Sequence, residues 1–215
     1  MKLKYYAIIL CYSLIMMSFA KQSSSQTLAE FFKNPNTTTI WLGLDFSETR
    51  IFGELSTSSQ DIKERYFKSI NELILNESLK FNVSKSFRRT NLTYDLSQIQ
   101  TNNSRVDPTK IIATNPNELT RMNEALVEKI VKGYNFDNKS GYGIVFLVES
   151  FDKTAKSASM YVTILDLNTK NVLLTKQMTA KPSGFGFRNY WANTIYEVLK
   201  RIEKKEYKKW NSELR

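Results

Sequence analysis

Residues 141–152 read GYGIVFLVESFD, residues 157–180 read SASMYVTILDLNTKNVLLTKQMTA, and residues 181–202 read KPSGFGFRNYWANTIYEVLKRI. Their spacing predicts three consecutive antiparallel strands feeding one long amphipathic helix. Side chains along a strand alternate between faces, so Ile144, Phe146 and Val148 share one face while Val145, Leu147 and Glu149 share the other. Both faces are largely apolar, as in a strand covered on two sides. Met160, Val162 and Ile164 alternate with Tyr161, Thr163 and Leu165, and Val172, Leu174 and Lys176 with Leu173, Thr175 and Gln177. The intervening Asp166-Leu167-Asn168-Thr169-Lys170-Asn171 is rich in residues that bond their own backbone and tolerate left-handed dihedrals, which predicts a hairpin.

After Pro182-Ser183-Gly184-Phe185-Gly186, residues Trp191, Ile195, Val198, Leu199 and Ile202 form one helical stripe. Glu206 interrupts it and Trp210 resumes it. The last turns, carrying Lys204, Lys205, Lys208 and Lys209, are therefore expected to be a solvated extension whose lysines complement the helix dipole.

Residues 1–20 read as a cleaved secretory signal peptide: Lys2 and Lys4, an apolar run from Tyr5 to Met17, then Ser18-Phe19-Ala20. The run is shorter than the roughly 20 residues a membrane span needs. Cys11 lies inside the run and follows Leu10 rather than a small residue, which argues against lipoprotein processing. Cleavage after Ala20 would remove the one cysteine and lower the formal charge from +10 to +8. The mature chain, about 195 residues with no later spanning stretch, is long enough for one core without disulfides. Its expected place is the periplasm or outer envelope, soluble or peripherally associated.

Residues 21–38 are polar and serine-rich, and are expected to be a tether despite Leu28, Phe31 and Phe32. Residues 39–210 are expected to form a single domain. Its first strand is Ile40 to Phe46, followed by a looser segment from Ser47 to Ser58 that carries Thr49 to Gly53. A helix over 59–79 carries Ile62, Tyr66, Ile70, Leu73 and Ile74 on one stripe, with Ser58 or Ser59 as N-cap. Strands are expected near 85–89 and 92–96. A second helix starts at Asn115-Pro116, buries Leu119, Met122, Leu126, Ile130 and Val131, and closes at Gly133. The fold class is α/β, an α+β sandwich. Its mixed sheet has a C-terminal three-strand antiparallel part and is packed by about three helices.

No histidine occurs, and the cysteine lies in the leader. Ser-His-Asp and Cys-His catalysis, Cys/His zinc sites and thiol redox chemistry are therefore excluded. Carboxylate chemistry remains. Asp45, near the carboxyl end of the first strand, with Glu149 and Asp152, could form an acid/base pair or hold a hard cation. The competing reading is structural, with Asp45 capping a turn and Asp166 forming an Asx-turn. No calcium-loop pattern appears, and no metal or cofactor is expected. Ser183-Gly184-Phe185-Gly186-Phe187-Arg188 could cradle an anion with backbone N–H groups and the Arg188 charge. The competing reading is a glycine-dependent strand-to-helix turn with Phe185 and Phe187 packing. Exposed phenylalanines would instead make it a contact loop offering Phe185, Phe187 and Arg188. The basic balance suits an anionic phospholipid or glycan surface better than nucleic acid, which an exported protein seldom meets.

Two pieces carry a resemblance. One is the strand ending Leu44-Asp45-Phe46 and its following helix; the other is residues 142–149 with 161–171, a glycine-bearing loop and a C-terminal helix. The pattern over 40–202 resembles the curli-secretion lipoprotein family and the N-terminal domain of TolB, with Lys170 and Asn171 where those turns carry glycine. It implies a small envelope α/β domain used in assembly, usually without catalysis, and assigns no site residue. The sequence thus favours a non-enzymatic binding module with a protein partner in the envelope. The alternatives are a carboxylate- or metal-dependent hydrolase and a module for anionic lipid or glycan.

Overall fold

The computed structural model describes residues 25–214. The expected leader, Cys11 included, lies outside the described residues. In chain order the elements are α1 (Leu28–Lys33), β1 (Thr39–Asp45), β2 (Arg50–Phe52), α2 (59–76), α3 (Val83–Ser86), β3 (Leu92–Tyr94) and α4 (Ser97–Ser104). Two 3-10 turns, Pro108–Lys110 and Pro116–Thr120, lead to α5 (Glu124–Lys132), β4 (Tyr142–Asp152), β5 (Ser157–Asp166), β6 (Val172–Ala180) and α6 (186–212).

The sheet runs β3-β1-β4-β5-β6, with β2 also paired to β4. β1 lies parallel to both β3 and β4, whereas β4, β5 and β6 are antiparallel. The fold is the mixed α/β sandwich expected, with the three-strand antiparallel part where the alternation places it. Ile144, Phe146 and Val148 face a core that includes Trp191, Ile195 and Val198 of α6, and Val145 and Leu147 face Val127 and Val131 of α5. Asp166 forms the Asx-turn of the β5–β6 hairpin, its carboxylate accepting from Asn168 N–H at 2.8 Å and the Thr169 hydroxyl at 2.9 Å.

Both long helices contain a π-turn, which changes how their stripes read. α2 comprises Ser59–Asp61, a π-turn at Ile62–Tyr66 and Phe67–Asn76; α6 comprises Gly186–Arg201, a π-turn at Ile202–Glu206 and Tyr207–Ser212. The N–H of Phe67 reaches the carbonyl of Ile62, and that of Tyr207 reaches Ile202. An apolar residue five places on therefore returns to the inner face. Phe67, Tyr207 and Trp210 are all buried, so the end of α6 is docked rather than solvated.

Three further expectations are corrected. The segment expected as a tether folds from Leu28: α1, capped by Thr27, buries Phe31 and Phe32 against Tyr142 and Tyr207. Residues 85–89 are not a strand, because Asn82 caps a helical turn (its side chain accepts from Lys85 N–H at 2.8 Å) and Arg88 has φ +50°. The helix expected from Asn115 is split. Asn115 caps the 3-10 turn in a capping box, and Asn123 caps α5, which leaves Leu126 and Ile130 only half-buried.

Candidate functional site

The three carboxylates proposed for chemistry are each occupied by structural bonds. Asp45 ends β1 almost fully buried; its Oδ2 accepts from the Tyr134 hydroxyl at 2.7 Å and its Oδ1 from Ser47 N–H at 2.7 Å. Burial, then the neighbouring Asp45 charge, pushes the Tyr134 phenol well above its ordinary range, so it remains a donor. Glu149 is buried on the α5 side of β4. Its Oε1 accepts from Met122 N–H at 3.1 Å, and its Oε2 from the Ser159 hydroxyl at 2.6 Å and Gln177 Nε2 at 2.7 Å. This one side chain links β4 to β5 and β6 and fixes the Met122 segment before α5 to the sheet. Asp152 closes the β4–β5 turn by accepting from Ala155 N–H at 2.8 Å. Among the described residues, no hydrogen-bond donor is shared between any two of these carboxylates. Among the described residues, no group of three Asp or Glu side chains is arranged to hold a metal ion.

The loop before α6 is built differently. Gly184 at φ +109° and Gly186 at φ +71° bracket Phe185, whose side chain is 94 % exposed. A Cβ on Gly186 would meet nothing within 4 Å, so its backbone angle alone calls for glycine there. Phe187 turns inward, 4.6 Å from the Tyr66 ring centroid and 6.3 Å from that of Trp191. Arg188 is exposed, and its Nε donates to Asn189 Oδ1 at 3.1 Å. The structure thus keeps Phe185 and Arg188 outward and assigns Phe187 to packing. Beside the loop, Leu55, Lys153, Phe187, Tyr190 and Trp191 wall a cleft of about 280 Å³.

A feature the sequence reading missed lies along the outer face of α6. A cleft of about 810 Å³ is walled by Lys156, Lys181, Lys200, Arg201 and Lys204, with Glu197 as the carboxylate among its lining residues. It shares Asn193, Lys200 and Lys204 with a second cleft of about 650 Å³ reaching Lys80, Lys85 and Leu79. Leu79 is 93 % exposed. Asn193, Glu197, Lys200 and Lys204 recur at helical spacing opposite the Trp191–Val198 stripe, a signal present in the sequence. Lys156 in the β4–β5 turn, Lys181 after β6, Lys80 after α2 and Lys85 in α3 join it only through tertiary folding.

No family model matches the chain, and no curated protein matches it. Among solved structures, the lipoprotein GNA1162 from Neisseria meningitidis aligns over 78 % of this chain and 98 % of its own, at 8 % identity and a TM-score of 0.32. A superposition that loose carries neither fold nor function from one chain to the other. Among the described residues no helix is long and apolar enough to cross a membrane.

Proposed function

We propose that this protein is an exported, non-enzymatic binding module that contacts an envelope protein through the loop at the start of α6. The observation that carries the reading is Phe185. A large aromatic side chain is held 94 % exposed between two positive-φ glycines, at the start of a helix docked on the sheet. An exposed aromatic on a rigid scaffold loses little conformational entropy on contact, and aromatic and arginine anchors dominate many interfaces. The adjoining cleft at Leu55 and Tyr190 offers an apolar recess for a partner side chain. Asp45, Glu149 and Asp152 have structural partners instead, which weighs against the hydrolase reading.

A photo-crosslinking phenylalanine analogue at position 185 tests the proposal in the native envelope. It should give one discrete adduct, and the same analogue at exposed Leu214 should give none. Equal adducts from both positions would contradict it.

A second reading, attachment to an anionic lipid surface, is favoured by the basic cleft of Lys156, Lys181, Lys200, Arg201 and Lys204. Exposed Leu79 and Phe185 would supply apolar contacts beside those charges. Co-sedimentation with phosphatidylglycerol vesicles that is lost in Lys200→Gln with Lys204→Gln would favour it. No sedimentation at low salt would exclude it.

A further inference from the structure

The chain leaves the edge of β4 after Asp45 and rejoins it at Arg50, because β1 pairs with Tyr142 to Leu147 and β2 with Ser150 to Asp152. The excursion, residues 46–49, stands at the carboxyl end of β1, where open α/β sheets place their ligands. A cleft of about 630 Å³ opens there, and Arg50, Arg105, Lys110 and Arg121 line it from three separate chain segments.

Two of these cations converge on one atom. Arg50 Nη1 donates to the Glu48 carbonyl oxygen at 3.4 Å, and Arg121 Nη2 donates to the same oxygen at 3.3 Å. Two guanidinium groups sharing one acceptor repel each other, and such repulsion persists in a fold only when other contacts outweigh it. Burial, then the Arg121 charge, pulls the Arg50 guanidinium below its ordinary range.

Glu48 and Asp107, which line the same cleft, and Glu118 nearby offset this in part. Glu48 pairs with Arg121 at 3.2 Å, Asp107 holds the Thr109 hydroxyl at 2.7 Å and Lys110 at 3.7 Å, and Glu118 is held by Thr114 and Asn115. Among the described residues, Arg50 makes no ion pair within 4.0 Å; its guanidinium donates to the Glu48 and Thr49 carbonyls. Arg105, exposed at the end of α4, has no ion pair there either.

We infer that the cleft between Arg50, Arg105 and Arg121 is a binding site for a phosphate-class oxyanion, free or carried on a lipid headgroup. Guanidinium forks match the oxygen geometry of phosphate and carry a charge that does not titrate away. An anion bridging Arg50 and Arg121 replaces their mutual repulsion with charge-assisted hydrogen bonds. The site is separate from the Phe185 loop and does not depend on the partner proposed for it.

Isothermal titration with inorganic pyrophosphate at low salt tests this on the full mature chain. The expected Kd lies below about 1 mM. Arg50→Gln and Arg121→Gln should each weaken binding about tenfold or more, the size of one lost charge-assisted bond. Exposed Arg105→Gln, which leaves β2 untouched, should weaken it several-fold with unchanged circular dichroism. Lys200→Gln with Lys204→Gln, and Phe185→Ala, should leave binding unchanged. Vesicles containing phosphatidic acid distinguish the source. If they compete with pyrophosphate in an Arg50-dependent way the ligand is a headgroup, and if they do not it is a soluble phosphate. Absence of pyrophosphate binding would overturn the site. So would binding that survives both Arg50→Gln and Arg121→Gln, or that is lost with the lysine pair.

Discussion

Asn71 and Asn103 meet on a single atom, the carbonyl oxygen of Leu44, with their amide nitrogens 3.0 and 2.9 Å away. Asn71 Oδ1 also accepts from Leu44 N–H at 2.7 Å, and Asn103 Oδ1 from Phe46 N–H at 2.7 Å. β3 pairs with β1 only from Thr39 to Trp41. Beyond that point the two side-chain amides, one from α2 and one from α4, take the place of a neighbouring strand. Gly43 makes room for Asn71, because a Cβ there would lie 2.8 Å from Asn71 Oδ1.

Asn103→Ala leaves the buried Phe46 N–H without its acceptor and should lower stability by about 2–3 kcal/mol in urea titration. Asn71→Ala should cost a similar amount. Each single variant leaves the Leu44 carbonyl one amide donor and the double variant leaves it neither, so the double variant should cost measurably more than the sum of the two.

Phe31 tests the docking of α1. Its ring is fully buried, 5.1 Å from the Tyr142 ring centroid and beneath the Arg89 guanidinium at 4.2 Å. Phe31→Ala should cost about 3–5 kcal/mol. An unchanged denaturant midpoint would mean that residues 28–33 are a tether after all.

Much of the sheet could be read from the sequence, because period-two alternation in Ile144–Val148 and Met160–Leu165 survives burial on both faces. The α6 stripe was equally plain up to Ile202. Past that point a constant 3.6-residue period puts Glu206 inside, whereas the π-turn brings in Tyr207 instead. Periodicity does not reveal where one residue is inserted into a helix. α4, reading SQIQTNNS, carries no apolar stripe; it buries only Ile99 and Asn103 and is held by amide bonds to β1. Phe31 and Phe32 were submerged in a polar run whose average hid them. At the candidate site, the glycines flanking Phe185 marked the turn but left open whether Phe185 packs or projects. The inward turn of Phe187 depended on Tyr66, a residue distant in sequence.

Val198 tests the placement of α6. It is fully buried in the core that α6 shares with β4, β5 and β6. Val198→Asp would place an unpaired charge there and should cost several kcal/mol, enough to unfold a marginal domain. Loss of cooperative thermal unfolding by circular dichroism is the expected result.

Asp95 sets a pH dependence. Its carboxylate accepts from the Ser97 hydroxyl at 2.6 Å and pairs with Lys139 at 2.9 Å; the hydroxyl bond first, then the lysine, lowers it from 3.8 to about 2. A carboxyl depressed in the folded state stabilises above its unfolded value and loses that contribution as pH falls through its folded value. The contribution should therefore be complete above about pH 4 and vanish toward pH 2. The pair is largely solvent-screened, so Asp95→Asn should cost under about 1 kcal/mol at neutral pH. It should also flatten the stability profile between those limits, read by urea midpoints.

The measurement that bears most directly on the binding reading compares two variants in one envelope pull-down. Asp45→Asn can still accept from Ser47 N–H and donate to the Tyr134 hydroxyl, so it should fold. Phe185→Ala with Arg188→Ala removes exposed groups only and should also fold. With both folds confirmed by circular dichroism, the loop double variant should lose partner retention about tenfold or more. Asp45→Asn should retain both its partner and its cellular function. The opposite pattern, a loop variant that still binds and a folded Asp45→Asn that is inactive, would contradict the binding module and point to a carboxylate-dependent enzyme.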